Sequence, residues 1–177
     1  MICKAIIYNS DLDNLAKKSS LSSDEAFLLR FKNALETRIQ ANFYVQFMHL
    51  KTYLILKYQN IKMEFVQIDN GANLTSRGKL QKFREGTQKG FPDVMILLSI
   101  KSINRVIFIE TKRIGTPSQI KISPDQEIWQ EKLTEMHWKS YITNNPVFFR
   151  QKICQEIENF FNFYTVDNLS HPNTNLN

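Results

Sequence analysis

Two runs near the middle of the chain, Val94 to Ile100 and Val106 to Thr111, are apolar on both faces. A strand of that kind is covered on each side, as when helices flank a sheet, so this pair constrains the fold more than any other segment. Lys101-Ser102-Ile103-Asn104-Arg105 joins the two runs, which read as an antiparallel hairpin. Asp93 then stands where the first strand begins and Glu110 near where the second ends. Pairing around residues 101–104 brings them within one or two positions of being directly opposite. Glu110 and Lys112 are two apart and share a face. Two carboxylates and an ammonium therefore converge at one edge of an apolar layer.

The flanking segments supply helices for that layer. Ser22 and Glu25 are spaced as a capping box. From Asp24 to about Gln59 there is neither Gly nor Pro, and Phe27, Phe31, Leu35, Ile39, Phe43, Phe47, Leu50 and Leu54 fit one drifting helical stripe. That length predicts a kinked helix or a helical pair. Met63 to Ile68 alternates like a half-buried strand and runs into Asn70-Gly71. Ser123-Pro124-Asp125-Gln126 opens a helix to about Met136, with Ser123 as N-cap and Pro124 at the first helical position. A strand at Trp138 to Ile142, a turn at Asn144-Asn145-Pro146 and a closing helix from Val147 to Tyr164 complete the pattern. A short strand at Cys3 to Tyr8 would precede all of these. The expected fold is a single α/β domain over residues 22–165, with a central mixed sheet of about four strands flanked by helices. An N-terminal segment (1–21) would lead into it and a flexible tail (166–177) would follow.

Charge narrows the function. The chain has 177 residues and a net charge of +6, and residues 76–121 hold ten basic side chains against three acidic ones. That segment is +7, and the rest of the chain, with thirteen basic and fourteen acidic residues, is −1. The sixteen Lys and sixteen Asn also suit an AT-rich genome, but codon bias would spread lysine evenly. One region owning the excess favours an anion-binding surface, with Arg77, Lys79, Lys82, Arg84, Lys89 and Arg113 as the expected DNA contacts. No apolar stretch reaches the length of a membrane span, and residues 1–20 do not read as a signal peptide. Cys3 and Cys154 cannot form a disulfide framework, which favours a reducing, cytoplasmic setting. The three histidines lack metal-ligand spacing, and no phosphate-binding glycine motif is present.

Paired carboxylates beside a lysine suit a hard cation. Mg²⁺ takes oxygen ligands and is typically held by one or two carboxylates plus substrate phosphate. Asp93 and Glu110 would supply the carboxylates, and the carbonyl of Thr111 a further ligand; Mn²⁺ is expected to substitute. The metal would polarise a phosphoryl oxygen and lower the pKa of an attacking water. Lys112 would orient that water or neutralise charge growing on the phosphorane.

Pro92-Asp93 followed by Glu110-Thr111-Lys112 resembles the PD-(D/E)xK nuclease motif. Within that superfamily the chain is most similar to the VRR-NUC branch (Holliday-junction-resolvase-like), found in phage, plasmid and bacterial nucleases and in a eukaryotic DNA-repair nuclease. Asn70, the basic loop to Gly90, and Gly90-Phe91-Pro92-Asp93 follow that branch's order. Gln126, Trp129 and Leu133 resemble its Q-x-x-W-x-x-x-L helix, and Glu36 with Gln40 resembles the Glu and Gln of its first helix. The likeness spans roughly residues 30–165. It implies a restriction-endonuclease-like core and a metal-dependent DNA endonuclease, structure-specific for junctions or flaps. Asp93 and Glu110 would be metal ligands, Lys112 the catalytic lysine and Gln126 an active-site polar contact. Glu36 would be an outer metal contact, with Glu25 competing for that role because Glu36 and Asn70 lie far apart. Nucleases of this size often dimerise to cut two strands, so a homodimer is a further expectation. The rival function is a non-catalytic DNA-binding or adaptor protein on the same fold.

Overall fold

In a computed structural model that describes residues 3–68 and 88–166, the two apolar runs form the paired centre of a five-stranded sheet. Its strands are β1 (Cys3–Ala5), β2 (Ile61–Gln67), β3 (Val94–Ile100), β4 (Ile103–Thr111) and β5 (Lys139–Thr143), in the order β1-β5-β4-β3-β2. β2, β3 and β4 are antiparallel neighbours, whereas β4, β5 and β1 run parallel. The sheet is mixed, as expected, with one strand more than the four anticipated.

The hairpin is tighter than its sequence suggests. Ile100 pairs with Ile103, so only Lys101 and Ser102 form the turn, and Lys101 takes φ 55° to close it. Asn104 and Arg105 look like loop residues but continue the ladder opposite Ser99 and Leu98. Arg105 lays its guanidinium 5.0 Å from the centre of the Phe160 ring, so its stem is sheltered within a strand.

Three helices precede β2: α1 (Asn9–Ala16), α2 (Ser23–Leu29) and α3 (Glu36–Lys57). The long Gly- and Pro-free stretch is therefore a helical pair. Ser22 and Glu25 make the capping box that starts α2. The chain then turns through Asn33, at φ 57°, and restarts the helix at Glu36. That restart explains the one member of the apolar stripe that fails: Leu35 is the N-cap of α3 and is 60% exposed, whereas Phe31, Ile39, Phe43, Phe47 and Leu54 are buried. After β4 come α4 (Pro124–Glu135), then α5 (Pro146–Phe148), a π-helical stretch (Phe149–Cys154) and α6 (Gln155–Val166) beyond β5. Among the described residues no helix is long and apolar enough to cross a membrane.

Each sheet face has its own apolar layer, because successive strand residues point to opposite sides. Ile107 and Ile109 join the main core with Phe43, Phe149 and Phe161, and the Phe43 and Phe149 rings stack at 4.5 Å. Phe108 faces the other way, into a smaller cluster with Phe91 and Trp138. Phe91 in turn meets Trp129 of α4. Glu110 and Lys112 follow Phe108 at two-residue steps and belong to this second face.

The first 21 residues, read as a weakly patterned lead-in, contribute to the core. β1 forms an edge of the sheet, and Leu12 of α1 is fully buried. Asn144, read as part of a turn, ties this segment down. Its Oδ1 accepts from Ile7 N at 2.7 Å, and its Nδ2 donates to the carbonyls of Ile7 (2.8 Å) and Arg113 (3.0 Å). Asn144→Ala strands three main-chain groups, two of them buried, and should cost about 2 kcal/mol in urea unfolding. Leu21→Ala, a change at an exposed side chain, serves as the neutral control.

Candidate active site

The approach to β3 is fixed by one glycine. Gly90 takes φ +77°, and a Cβ there would lie 2.5 Å from the carbonyl carbon of Asp125 in the first turn of α4. Only glycine allows both that backbone and that approach. Lys89 reinforces the contact through an ion pair with Asp125 at 2.7 Å. The Phe91 ring packs edge-on against Trp129, with centroids 4.8 Å apart. Gly90-Phe91 thus clamps the first turn of α4, which carries Gln126, to the strand that follows Asp93. Gly90→Ala should lower unfolding free energy by about 2 kcal/mol, read by chemical denaturation.

Continuing the β3–β4 register one step past Val94 and Ile109 sets Asp93 directly opposite Glu110. The Thr111 N–H donates to Asp93 Oδ2 at 2.9 Å, and the Asp93 carbonyl accepts from Ile68 N at 2.7 Å. Thr111 itself is fully buried. Lys112 N bonds the Thr143 carbonyl at 3.1 Å, so β5 holds the chain as it leaves β4.

Glu110 and Lys112 are only 2% and 5% exposed. Lys112 Nζ donates to Glu110 Oε1 at 2.8 Å and to Gln126 Oε1 at 2.9 Å. Gln126 Nε2 also donates to Glu110 Oε1. The same glutamine closes the capping box of α4: its Oε1 accepts from Ser123 N at 2.9 Å, and its own N–H reaches Ser123 Oγ at 3.3 Å. Gln126 is therefore both the cap partner of α4 and one corner of a triangle with Glu110 and Lys112.

That triangle leaves Glu110 Oε2 buried with no hydrogen-bond partner among the described residues. Burial pushes the Glu110 carboxyl up to about 7, and the negative charge of Asp93 adds to the rise, while Lys112 opposes it. Glu36 contributes a smaller upward push. A carboxylate with a bare buried oxygen beside a second carboxylate is short of positive charge, and oxygen donors of this kind suit a hard divalent cation. Asp93 and Glu110 are two such donors; among the described residues no cluster of three or more His, Cys, Asp or Glu side chains is gathered around an ion-sized space.

The two first-helix candidates separate clearly. Glu36 is the exposed first residue of α3 and stands within electrostatic reach of Glu110. Glu25 is engaged elsewhere, with Lys18 Nζ at 2.5 Å and Ser22 N at 2.9 Å.

Among the described residues, the basic side chains of the 76–121 segment are not gathered at one place. Lys101 and Arg105 sit at the turn end of the hairpin, away from Asp93, and Lys112 is buried. Of the six expected DNA contacts, Lys89 pairs with Asp125, and Arg113 is partly buried with Nε lacking a partner among the described residues. Arg77, Lys79, Lys82 and Arg84 lie outside the described residues, as do Asn70 and the tail beyond Val166. Gln67 escaped notice in the sequence. It occupies the same face of β2 as Met63 and Phe65, and a polar residue at the end of an apolar face was the available signal. No protein-family profile, curated protein or solved structure matches this chain.

Proposed function

We propose that the chain is a metal-dependent nuclease that hydrolyses DNA phosphodiester bonds at the Asp93–Glu110–Lys112 centre, on a restriction-endonuclease-like core. The observation that carries this reading is Glu110 Oε2, without a partner among the described residues, buried opposite Asp93 and next to a lysine already held in place. Asp93 and Glu110 would hold Mg²⁺ or Mn²⁺, with Glu36 as an outer contact. A divalent cation supplies Lewis-acid neutralisation of phosphate charge and eases deprotonation of water. The protein's own part is positional. Gln126, fixed by its helix cap, keeps Lys112 and Glu110 together, so the ammonium is already in place to meet charge growing on the phosphoryl oxygens. The Thr111 N–H holds one oxygen of Asp93, which restricts the carboxylate's rotation. A purely DNA-binding domain gains nothing from two repelling carboxylates, one of them buried, facing phosphate.

The test is a cleavage panel of duplex, flap and four-way-junction DNA with Mg²⁺ and with Mn²⁺, run beside Asp93→Asn. Cleavage that needs the metal and vanishes in the variant is the expected result. Binding without metal-dependent cleavage of any substrate would instead establish the adaptor reading.

A further inference from the structure

From a groove between α3 and β2, we infer that this protein takes an unpaired nucleobase beside its reacting phosphate, so that its substrates are single-stranded or flapped DNA rather than continuous duplex. The inference rests on the nuclease reading for the phosphate and on the groove for the base. The groove encloses about 500 Å³, within the range of small-ligand sites, and runs between the first turns of α3 and the last residues of β2. One end is polar: Gln67 Nε2 donates to Gln40 Oε1 at 2.9 Å. That pairing consumes one donor and one acceptor, leaving the Gln40 amide as donor and the Gln67 carbonyl as acceptor. The other end is aromatic, with the Tyr44 and Phe65 rings 5.6 Å apart at 71°. Phe65 is seated against Phe47 of the core, while Tyr44 is 48% exposed, so a fixed ring backs an accessible one.

The groove lies next to the carboxylate centre. Gln67 pairs with Val94, the residue after Asp93, and the Asp93 carbonyl bonds the amide of Ile68. At the α3 end, Thr37 of the groove follows Glu36 directly. A DNA strand whose phosphate meets Asp93 and Glu110 therefore has a neighbouring nucleotide within reach of the groove. An aromatic wall with one donor and one acceptor matches a base, which offers a π-face and a hydrogen-bonding edge. In a continuous duplex both are consumed by stacking and pairing, so only an unpaired base can enter. Among the described residues the lining carries no charged side chain, which disfavours a second phosphate there.

The experiment measures binding and cleavage by the full chain. A short single-stranded DNA carrying 2-aminopurine reports stacking by loss of fluorescence, and an unlabelled duplex of the same sequence is the comparison. Wild type and Tyr44→Phe should bind the single strand and quench the probe. Tyr44→Ala should abolish the quench and weaken single-strand binding about tenfold, leaving duplex binding unchanged. Leu56→Ala, at an 84% exposed position farther along α3, should match wild type. Equal single-strand affinity and equal quench in wild type and Tyr44→Ala would overturn the inference, as would a wild type that prefers duplex. The two readings fail separately. A wild type that cuts, with Tyr44→Ala cutting flaps equally well, sinks the groove alone. A wild type that binds and quenches through Tyr44 but never cuts sinks the nuclease alone.

Discussion

Asp93→Asn and Glu110→Gln should each reduce metal-dependent DNA cleavage by on the order of 10³-fold or more, while leaving a folded protein. The two carboxylates lie opposite each other at the end of the β3–β4 ladder, and each is a separate oxygen donor at the same place. Losing either removes the pairing of charges that would draw in a divalent cation, and the other cannot replace it. Asp93→Asn is the cleaner of the two. The amide keeps an oxygen that can accept from the Thr111 N–H, so the local hydrogen bond survives while the charge is lost. Glu110→Gln also deprives the buried Lys112 of its countercharge, so some loss of stability should accompany the loss of activity. Thermal unfolding with and without Mg²⁺ gives a second readout: wild type should be stabilised by the ion and Asp93→Asn should not. Full cleavage by Asp93→Asn would remove this centre from the reaction.

The second large effect is a dependence of stability on pH that the metal should cancel. Glu110 is pushed up to about 7 in the folded protein from an ordinary value of 4.5, mainly by burial. Between those values the folded state retains a proton that the unfolded chain has released. Raising the pH therefore favours unfolding: the contribution is fully present below about 4.5 and is lost as the pH passes through 7. Its size is roughly 3 kcal/mol at most. In EDTA, urea unfolding should show the protein weaker near pH 8 than near pH 5, to about that extent. A cation that replaces the proton reverses the loss, so stabilisation by Mg²⁺ should be larger at the higher pH. Lys112→Met removes the ammonium that opposes the rise and should move the transition to still higher pH. A metal effect independent of pH would mean that Glu110 does not exchange a proton for the ion.

Legibility followed the range of the interaction involved. The strands β2 to β5 were readable because alternation and two-sided apolarity are local, and α4 because Ser123, Pro124 and Gln126 carry its start within four residues. The extension of β4 back to Ile103 was hidden because Asn104 and Arg105 are polar, and only pairing with β3 shows them to be strand. Leu35 fitted the apolar stripe in sequence, yet the helix restarts one residue later and leaves it outside. The roles of Asn144 and Gly90 depend on partners far away in the chain, namely Ile7 and Asp125, which no local pattern announces.

For the site, the sequence by itself determined which residues meet. Strand alternation and a short hairpin are enough to bring Asp93 within one or two positions of Glu110, with Lys112 two residues on, and a helix cap is enough to place Gln126 at the head of α4. Tertiary structure alone decided what those residues experience. Burial, the lack of a partner for Glu110 Oε2 among the described residues, the electrostatic reach of Glu36 to Glu110 and the separate engagement of Glu25 with Lys18 all depend on packing between distant elements. The reason is physical: backbone periodicity is encoded residue by residue, whereas solvation and electrostatic reach are set by whatever the fold brings alongside.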